Sequence, residues 1–148
     1  MEYIVASPVS LDAVTTLDRL IFPVEEVWDS LLWKEMLKTN ISRVLIAKSD
    51  GAIKGFISFY NNGKITKLGV DPKVRNLGVG STLLALAIEC LDKGDFSAKC
   101  RNGSSLHVKA TNKIAIKLYL KVGFVEDSNV KDYYGQGSDA IRMLRVRS

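Results

Sequence analysis

The stretch that most constrains this chain runs from Lys64 to Leu91, KITKLGVDPKVRNLGVGSTLLALAIECL. Ile65, Leu68 and Val70 predict a partly buried strand. Asp71-Pro72 ends it, because proline brings no N–H to a ladder and restricts the residue before it. Arg75-Asn76-Leu77-Gly78-Val79-Gly80 follows, and from Ser81 an apolar helix. Two glycines at the mouth of a helix let a ligand approach the backbone. The first helical N–H groups have no internal partners there, and the helix dipole adds positive charge. A strand, basic loop and helix in this order make a phosphate site.

Three kinds of phosphate site compete. A Walker loop needs Lys after its last glycine, and Ser81 stands there. A dinucleotide fingerprint needs a third glycine, where Leu83 stands, and a βαβ unit early in a parallel sheet. The residues before Lys64 predict antiparallel hairpins instead. An R-x-x-G-x-G loop after a strand of a mixed sheet remains, gripping a pyrophosphate with backbone N–H groups and one arginine.

The flanking elements fill in the architecture. Tyr3 to Ala6 predicts a strand, ended by Ser7-Pro8. Ser10 is placed to cap a helix with Leu11, Val14, Leu17 and Ile21 on one face. Phe22-Pro23-Val24 interrupts it. A second helix is expected over Glu25 to Lys38, with Trp28, Leu31, Leu32 and Met36 as its apolar positions. Arg43–Lys48 and Ala52–Tyr60 read as strands joined by Ser49-Asp50-Gly51, and Asn61-Asn62-Gly63 turns into the stretch already described. Lys93 to Ser105 reads as a long polar loop. A strand follows at Ser105–Lys109, then a helix capped by Thr111 or Asn112 with Ile114, Ile116, Leu118, Tyr119 and Leu120, then Gly123 as its stop. Strands from Phe124 and over Ala140–Val146 flank a loop, VKDYYGQG. The expectation is an α/β (α+β) domain over residues 1–148, its largely antiparallel mixed sheet of six to seven strands flanked by about four helices. Length fits one domain, and 47% apolar residues fit a globular one. Two cysteines, Cys90 and Cys100, make neither a disulfide framework nor a metal motif. The N-terminus lacks a signal-peptide pattern, and the run Leu83–Leu91 is too short to span a bilayer. A cytoplasmic protein without a membrane anchor is expected. A net charge of +5 suits a polyanionic small ligand.

Here the sequence resembles a known family. Arg75-Asn76-Leu77-Gly78-Val79-Gly80 matches the acetyl-coenzyme A loop of the GNAT acetyltransferases. His107-Val108-Lys109-Ala110-Thr111-Asn112, with Ala115, Leu118-Tyr119 and Gly123-Phe124, is similar to the family's V-x-x-x-N-x-x-A-x-x-x-Y-x-x-x-G-F segment. The order of elements agrees over nearly the whole chain. Within the family, Ile21-Phe22-Pro23-Val24, Leu106-His107-Val108 and Tyr133-Tyr134 resemble protein N-α-acetyltransferases of the NatE catalytic subunit type.

The resemblance implies the GNAT fold and direct transfer of an acetyl group from acetyl-CoA to an amine. It implies an α-amino acceptor, the peptide N-terminus, of chains that begin with Met and an apolar residue. The attacking amine must be neutral, so a base is required. His107, the only histidine, matches the family's base; the residues alone favour a half-buried strand histidine with a structural hydrogen bond. Tyr119 falls at the position beside the thioester sulfur, or is a core residue of its helix. Donor contacts implied are Leu68, Val70, Arg75 (with Lys73), Asn76, Leu77, Gly78, Val79, Gly80, Ser81, Asn112 and Tyr119. Acceptor contacts implied are Phe22, Pro23, Val24, Glu26, His107, Tyr133 and Tyr134. Capping alone also explains Asn112, and helix-start solvation Glu26. Lys64 departs from the relative, which has a second catalytic tyrosine there. No metal, membrane or sequence-specific nucleic-acid partner is expected. A small-amine or lysine acetyltransferase, and a weakly active subunit of a ribosome-associated N-terminal acetyltransferase complex, remain competing readings.

Overall fold

The computed structural model describes residues 1–94 and 103–146. The expected loop over 93–105 falls mostly outside them, as do Cys100 and Arg147. Among the described residues the order is β1 (Glu2–Val5), α1 (Leu11–Ile21), α2 (Ser30–Lys38), β2 (Ser42–Ser49), β3 (Ala52–Tyr60), β4 (Ile65–Val70), α3 (Val79–Lys93), β5 (Ser104–Lys109), α4 (Lys113–Lys121), β6 (Val125–Val130) and β7 (Ala140–Arg145). The predicted order of elements is the observed one.

β1 to β4 form an antiparallel sheet in sequence order, and β5, β7 and β6 form a second one. The two meet at one parallel bridge, Lys64 to Ser105, where Ser105 N–H donates to Gly63 O at 3.0 Å. Beyond that bridge β4 and β5 have no ladder between them. The β2–β3 turn uses Asp50 and Gly51, both at positive φ (53° and 76°), the geometry that matches the twist of the strands it joins.

Alternation sorts the central strands onto two cores. Leu45, Ala47, Ile57 and Phe59 face Leu83, Leu84, Ala87 and Leu91 of α3, with Ile116 and Tyr119 of α4 in the same cluster. Val44, Ile46 and Phe56 face Val14 and Leu17 of α1 and Trp33, Met36 and Leu37 of α2. With both faces covered, β2 and β3 read as continuous apolar runs rather than alternating ones.

Several local expectations need correction. α2 starts at Ser30, capped by the Asp29 side chain on Leu32 N–H, not at Glu25. Leu31 and Leu32 are exposed, whereas Trp33 and Leu37 are buried. Three consecutive apolar positions, Leu31-Leu32-Trp33, allow either face, and Trp33 wins because its ring packs edge-on to Phe56 at 5.0 Å. Ser10 precedes α1 without a side-chain capping bond; a short 3-10 turn over Pro8–Ser10 leads into the helix instead. The helix expected from Ser81 begins at Val79. Ile114 and Leu120 are exposed on α4.

Candidate active site

The site follows from the splay of β4 away from β5. On its other edge β4 pairs with β3, and Asp71 N–H donates to Lys54 O at 2.8 Å. Antiparallel ladders alternate inward and outward backbone groups. Gly69 therefore points its N–H and C=O toward β3, and Leu68 and Val70 point theirs away, into the gap. Val70 O accepts from Arg75 Nε at 3.3 Å, so the Arg75 side chain lies back along β4.

At the end of β4, Asp71 caps Lys73 N–H at 2.9 Å and the chain passes through a turn to α3. Asn76 (φ 67°) and Gly78 (φ 81°) both adopt the left-handed conformation, which is cheap only for glycine and a few short polar residues. Gly78 is the N-cap of α3 and has no side chain to satisfy the first helical N–H groups. A Cβ at Gly78 would meet nothing within 4 Å, and at Gly80 only Val70 Cγ2 at 3.5 Å and Leu118 Cδ2 at 3.7 Å. Leu77 and Ser81 are exposed around this terminus, while Val79 is buried in the core beneath it. An open, uncapped N-terminus of a 15-residue helix fits a phosphate group.

The other end of the gap widens into a cleft of about 300 Å³. Phe22, Glu25, Glu26, Val27 and Trp28 from the α1–α2 connection line it, with Ile65–Leu68 of β4, Leu106–Lys109 of β5, Asn112, Ala115 and Tyr119 of the α4 region, and Tyr134. Leu106 and Val108 belong to the core, so alternation turns His107 to the opposite face, beside its β7 partner Arg142. Tyr133 stacks on the imidazole, centroids 4.3 Å apart and planes 6° apart. Tyr134 O–H donates to His107 O at 3.2 Å. His107 Nδ1 is buried without a hydrogen-bond partner among the described residues. Burial, with the positive charges of Lys64 and Arg142, pushes the imidazole below its ordinary pKa.

The tyrosine pair is held by its loop: Gly137 N–H donates to Asp132 Oδ1 at 2.7 Å and Asp132 N–H to Asp139 Oδ1 at 3.0 Å. Burial raises Tyr134 to about 12, with Tyr133 and Glu26 adding to it. Tyr119 is buried at the inner wall, edge-on to Phe124 at 5.8 Å, and burial pushes its phenol well up, with Tyr134 adding to the shift. Asn112 caps α4, its side chain accepting from Ala115 N–H at 3.1 Å. Glu26 is paired across the cleft with Lys109 at 3.6 Å.

The structure thus brings together on the cleft Phe22, Glu26, Leu68, His107, Asn112, Tyr119 and Tyr134, with Tyr133 stacked behind His107. Pro23 and Val24 are exposed and lie off its lining; their loop turns them to solvent. Arg75, Asn76, Leu77, Gly78, Val79, Gly80 and Ser81 gather at the α3 end of β4. Two residues that sequence reading did not single out sit under the cleft. Lys67 Nζ lies 2.6 Å from Asp18 Oδ1, with side chains 8% and 0% exposed. A lysine in a strand and an aspartate in a helix, 49 positions apart (67 − 18), give no sequence signal of pairing.

Comparison with known proteins agrees with this geometry. The family model for the acetyltransferase (GNAT) family matches residues 11–124. N-alpha-acetyltransferase 30 of Homo sapiens is 34% identical over 116 residues, 78% of this chain and 30% of that protein; the chain spans under a third of that relative's length. An N-alpha-acetyltransferase of Sulfurisphaera tokodaii is 27% identical over 148 residues, covering 90% of this chain and 85% of its own. Among solved structures, Arabidopsis thaliana NAA60 in complex with a bisubstrate analogue superposes with a TM-score of 0.82 at 19% identity, covering 99% of both chains. The ribosomal-protein-S18-alanine N-acetyltransferase of Escherichia coli gives 0.80 at 23% identity, over 99% of this chain and 95% of that one. At these identities the two structures speak for the fold.

Proposed function

The chain belongs to the acetyltransferase (GNAT) family, and we propose that it is an N-acetyltransferase that acetylates the free α-amino group of protein N-termini, with acetyl-CoA as donor. The observation that carries this reading is the splayed β4–β5 gap, with an uncapped helix terminus at one end and the His107–Tyr134 cleft at the other. Two relatives carrying the name N-alpha-acetyltransferase support the choice of amine.

The residues present fit the donor. The N-terminus of α3, with Arg75 and the open surface over Gly78, would hold its pyrophosphate, and the outward backbone of Leu68 and Val70 would pair with its pantetheine arm. When bound, acetyl-CoA supplies an activated thioester. The protein's own groups do the rest. His107 accepts the ammonium proton, directly or through water, and its lowered pKa keeps the imidazole unprotonated near neutral pH. Tyr119, held protonated by burial, would offer its O–H to the thioester sulfur. An outward backbone N–H near Val70 would be placed to donate to the acetyl carbonyl oxygen. Lys64, in place of a second tyrosine, acts on His107 as a charge rather than as a base, so the reading is a single-base reaction by direct attack.

Phe22, Val27, Trp28 and Leu106 give the cleft an apolar wall for the first side chain, and Tyr133-Tyr134 close it from the β6–β7 side. This favours chains that begin with Met and an apolar residue, met in the cytoplasm as they emerge with a free N-terminus. The test is a peptide panel incubated with acetyl-CoA and read by fragmentation mass spectrometry. Acetyl on the α-nitrogen of Met-Leu or Met-Val peptides is expected. Acetylation of α-blocked peptides at Lys, or of small amines alone, would refute the proposal in favour of a lysine or small-amine acetyltransferase.

A further inference from the structure

The aromatic wall of the acceptor cleft already holds a cation, and it belongs to the protein. Lys67 Nζ lies 4.4 Å from the centroid of Phe22 and 5.1 Å from that of Trp28. It donates to the backbone oxygen of Glu26 at 2.6 Å and lies 2.6 Å from Asp18 Oδ1. The other carboxylate oxygen of Asp18 accepts from Trp28 N–H at 3.0 Å and from Trp33 Nε1 at 2.8 Å. Ring faces, a carbonyl and a buried carboxylate are the components of an alkylammonium site. Here that site is filled from β4.

Residues 22–29 form the acceptor wall and have no helix or strand of their own. They leave α1 at Phe22 and enter α2 after Asp29. Besides the Glu26–Lys109 pair and the packing of Phe22 on Phe56 and Trp28 on Trp33, one buried pair ties this segment down at three points: Asp18 fixes Trp28, and Lys67 fixes Glu26 and covers Phe22. A buried ion pair contributes little net stability, but losing one partner leaves an uncompensated charge beneath whatever it supports. What it supports here is the surface that receives the peptide.

We propose that Lys67 is a positioning residue for the acceptor: its ammonium fills an aromatic–carboxylate cage that fixes residues 22–29 in the shape that accepts a peptide N-terminus. The filled cage also denies the acceptor's own ammonium the faces of Phe22 and Trp28, and so directs the amine to the His107 side of the gap. This rests on the β4–β5 cleft being the acceptor site. It adds that acceptor recognition depends on a lysine that never exchanges a proton with substrate, and that donor binding at α3 is independent of it.

The test is chemical rescue. Lys67→Ala removes the three methylenes and the ammonium beyond Cβ, which propylammonium replaces. In Lys67→Ala, kcat/KM for peptide should fall on the order of a hundredfold, mainly through KM, as expected when a supporting shell lets a site shift. Affinity for acetyl-CoA, measured by calorimetry, should not change. Propylammonium should restore peptide acetylation, read by mass spectrometry on the peptide so that acetylated propylamine does not count, and propanol should not. Should Lys67→Ala fail to fold, Lys67→Met keeps the volume without the charge and should show the same split. Unchanged peptide KM in either folded variant would overturn the proposal. So would a parallel loss of donor and peptide affinity that propylammonium leaves unrepaired, because that marks a merely structural lysine. Wild-type protein that left all α-amines unmodified would remove the reading of the site itself, and this inference with it.

Discussion

Gly69 gives the sharpest test of how the acceptor wall sits on β4. A Cβ at this position would come within 2.8 Å of Phe56 Cζ, 3.0 Å of Phe22 Cε2 and 3.1 Å of Ile21 Cδ1. All three fall inside the roughly 3.5 Å at which carbon atoms pack comfortably. Gly69 does not sit at positive φ, so Gly69→Ala strains no backbone and the effect is steric. Phe56 is fully buried and wedged against Trp33, so it cannot move. Phe22 is half-buried and ends the wall of an open cleft, so it is the ring that yields. Overpacking of this kind costs about 1–3 kcal/mol, which lowers Tm by roughly 2–12 °C for a chain of this size. The displaced ring should also raise KM for peptide, while affinity for acetyl-CoA stays at the wild-type value. Thermal melts followed by circular dichroism, with initial rates at varied peptide and varied acetyl-CoA, read both effects. A variant that melts with wild type and keeps its peptide KM would show that Phe22 does not pack on β4 as described.

His107→Ala should abolish turnover while leaving acetyl-CoA binding intact, measured by calorimetry alongside rates. The pH dependence carries a definite sign. The His107 imidazole sits below its ordinary pKa of 6.5, so the acid limb of kcat/KM should fall below that pH. Lys64→Gln removes one of the positive charges that disfavour protonation, so the limb should move upward toward 6.5. Gly78→Ala meets no steric contact but must hold φ near 81°, and should cost about 1 kcal/mol in a denaturant titration. Asp29→Ala removes the α2 cap and should cost about 1 kcal/mol in the same titration, without changing affinity for acetyl-CoA.

The strand–loop–helix backbone proposed to hold the donor was legible because it is local. The breaker Asp71-Pro72, the two glycines and the apolar run after them lie consecutively, and each constrains backbone geometry within a few residues. The order of strands and helices was legible for the same reason, from turn residues at Asp50-Gly51 and Asn62-Gly63 and a stop at Gly123. The cleft proposed to hold the acceptor was less so. α2 carries Leu31, Leu32, Trp33, Met36 and Leu37, and periodicity alone cannot choose which of them face inward; contact with Phe56 and Asp18 chooses. Pro23 and Val24 fit a motif, yet the turn that carries Phe22 onto β4 directs them outward. The Lys67–Asp18 pair was invisible because nothing in either residue's neighbourhood announces a partner in another layer. The order of the Tyr133-Tyr134 loop likewise depends on Asp132 and Asp139, which read as ordinary turn residues until their bonds are seen.

The central claim is that donor and acceptor meet in the gap between β4 and β5, with His107 facing the amine. A crystal structure of this chain with a peptide joined through its α-nitrogen to coenzyme A measures that directly. The account predicts the pyrophosphate on the N–H groups that open α3, the peptide nitrogen in the gap beside His107, and the first side chain against Phe22 and Trp28. A conjugate bound with its peptide outside that gap, or with His107 turned away from the nitrogen, would contradict it.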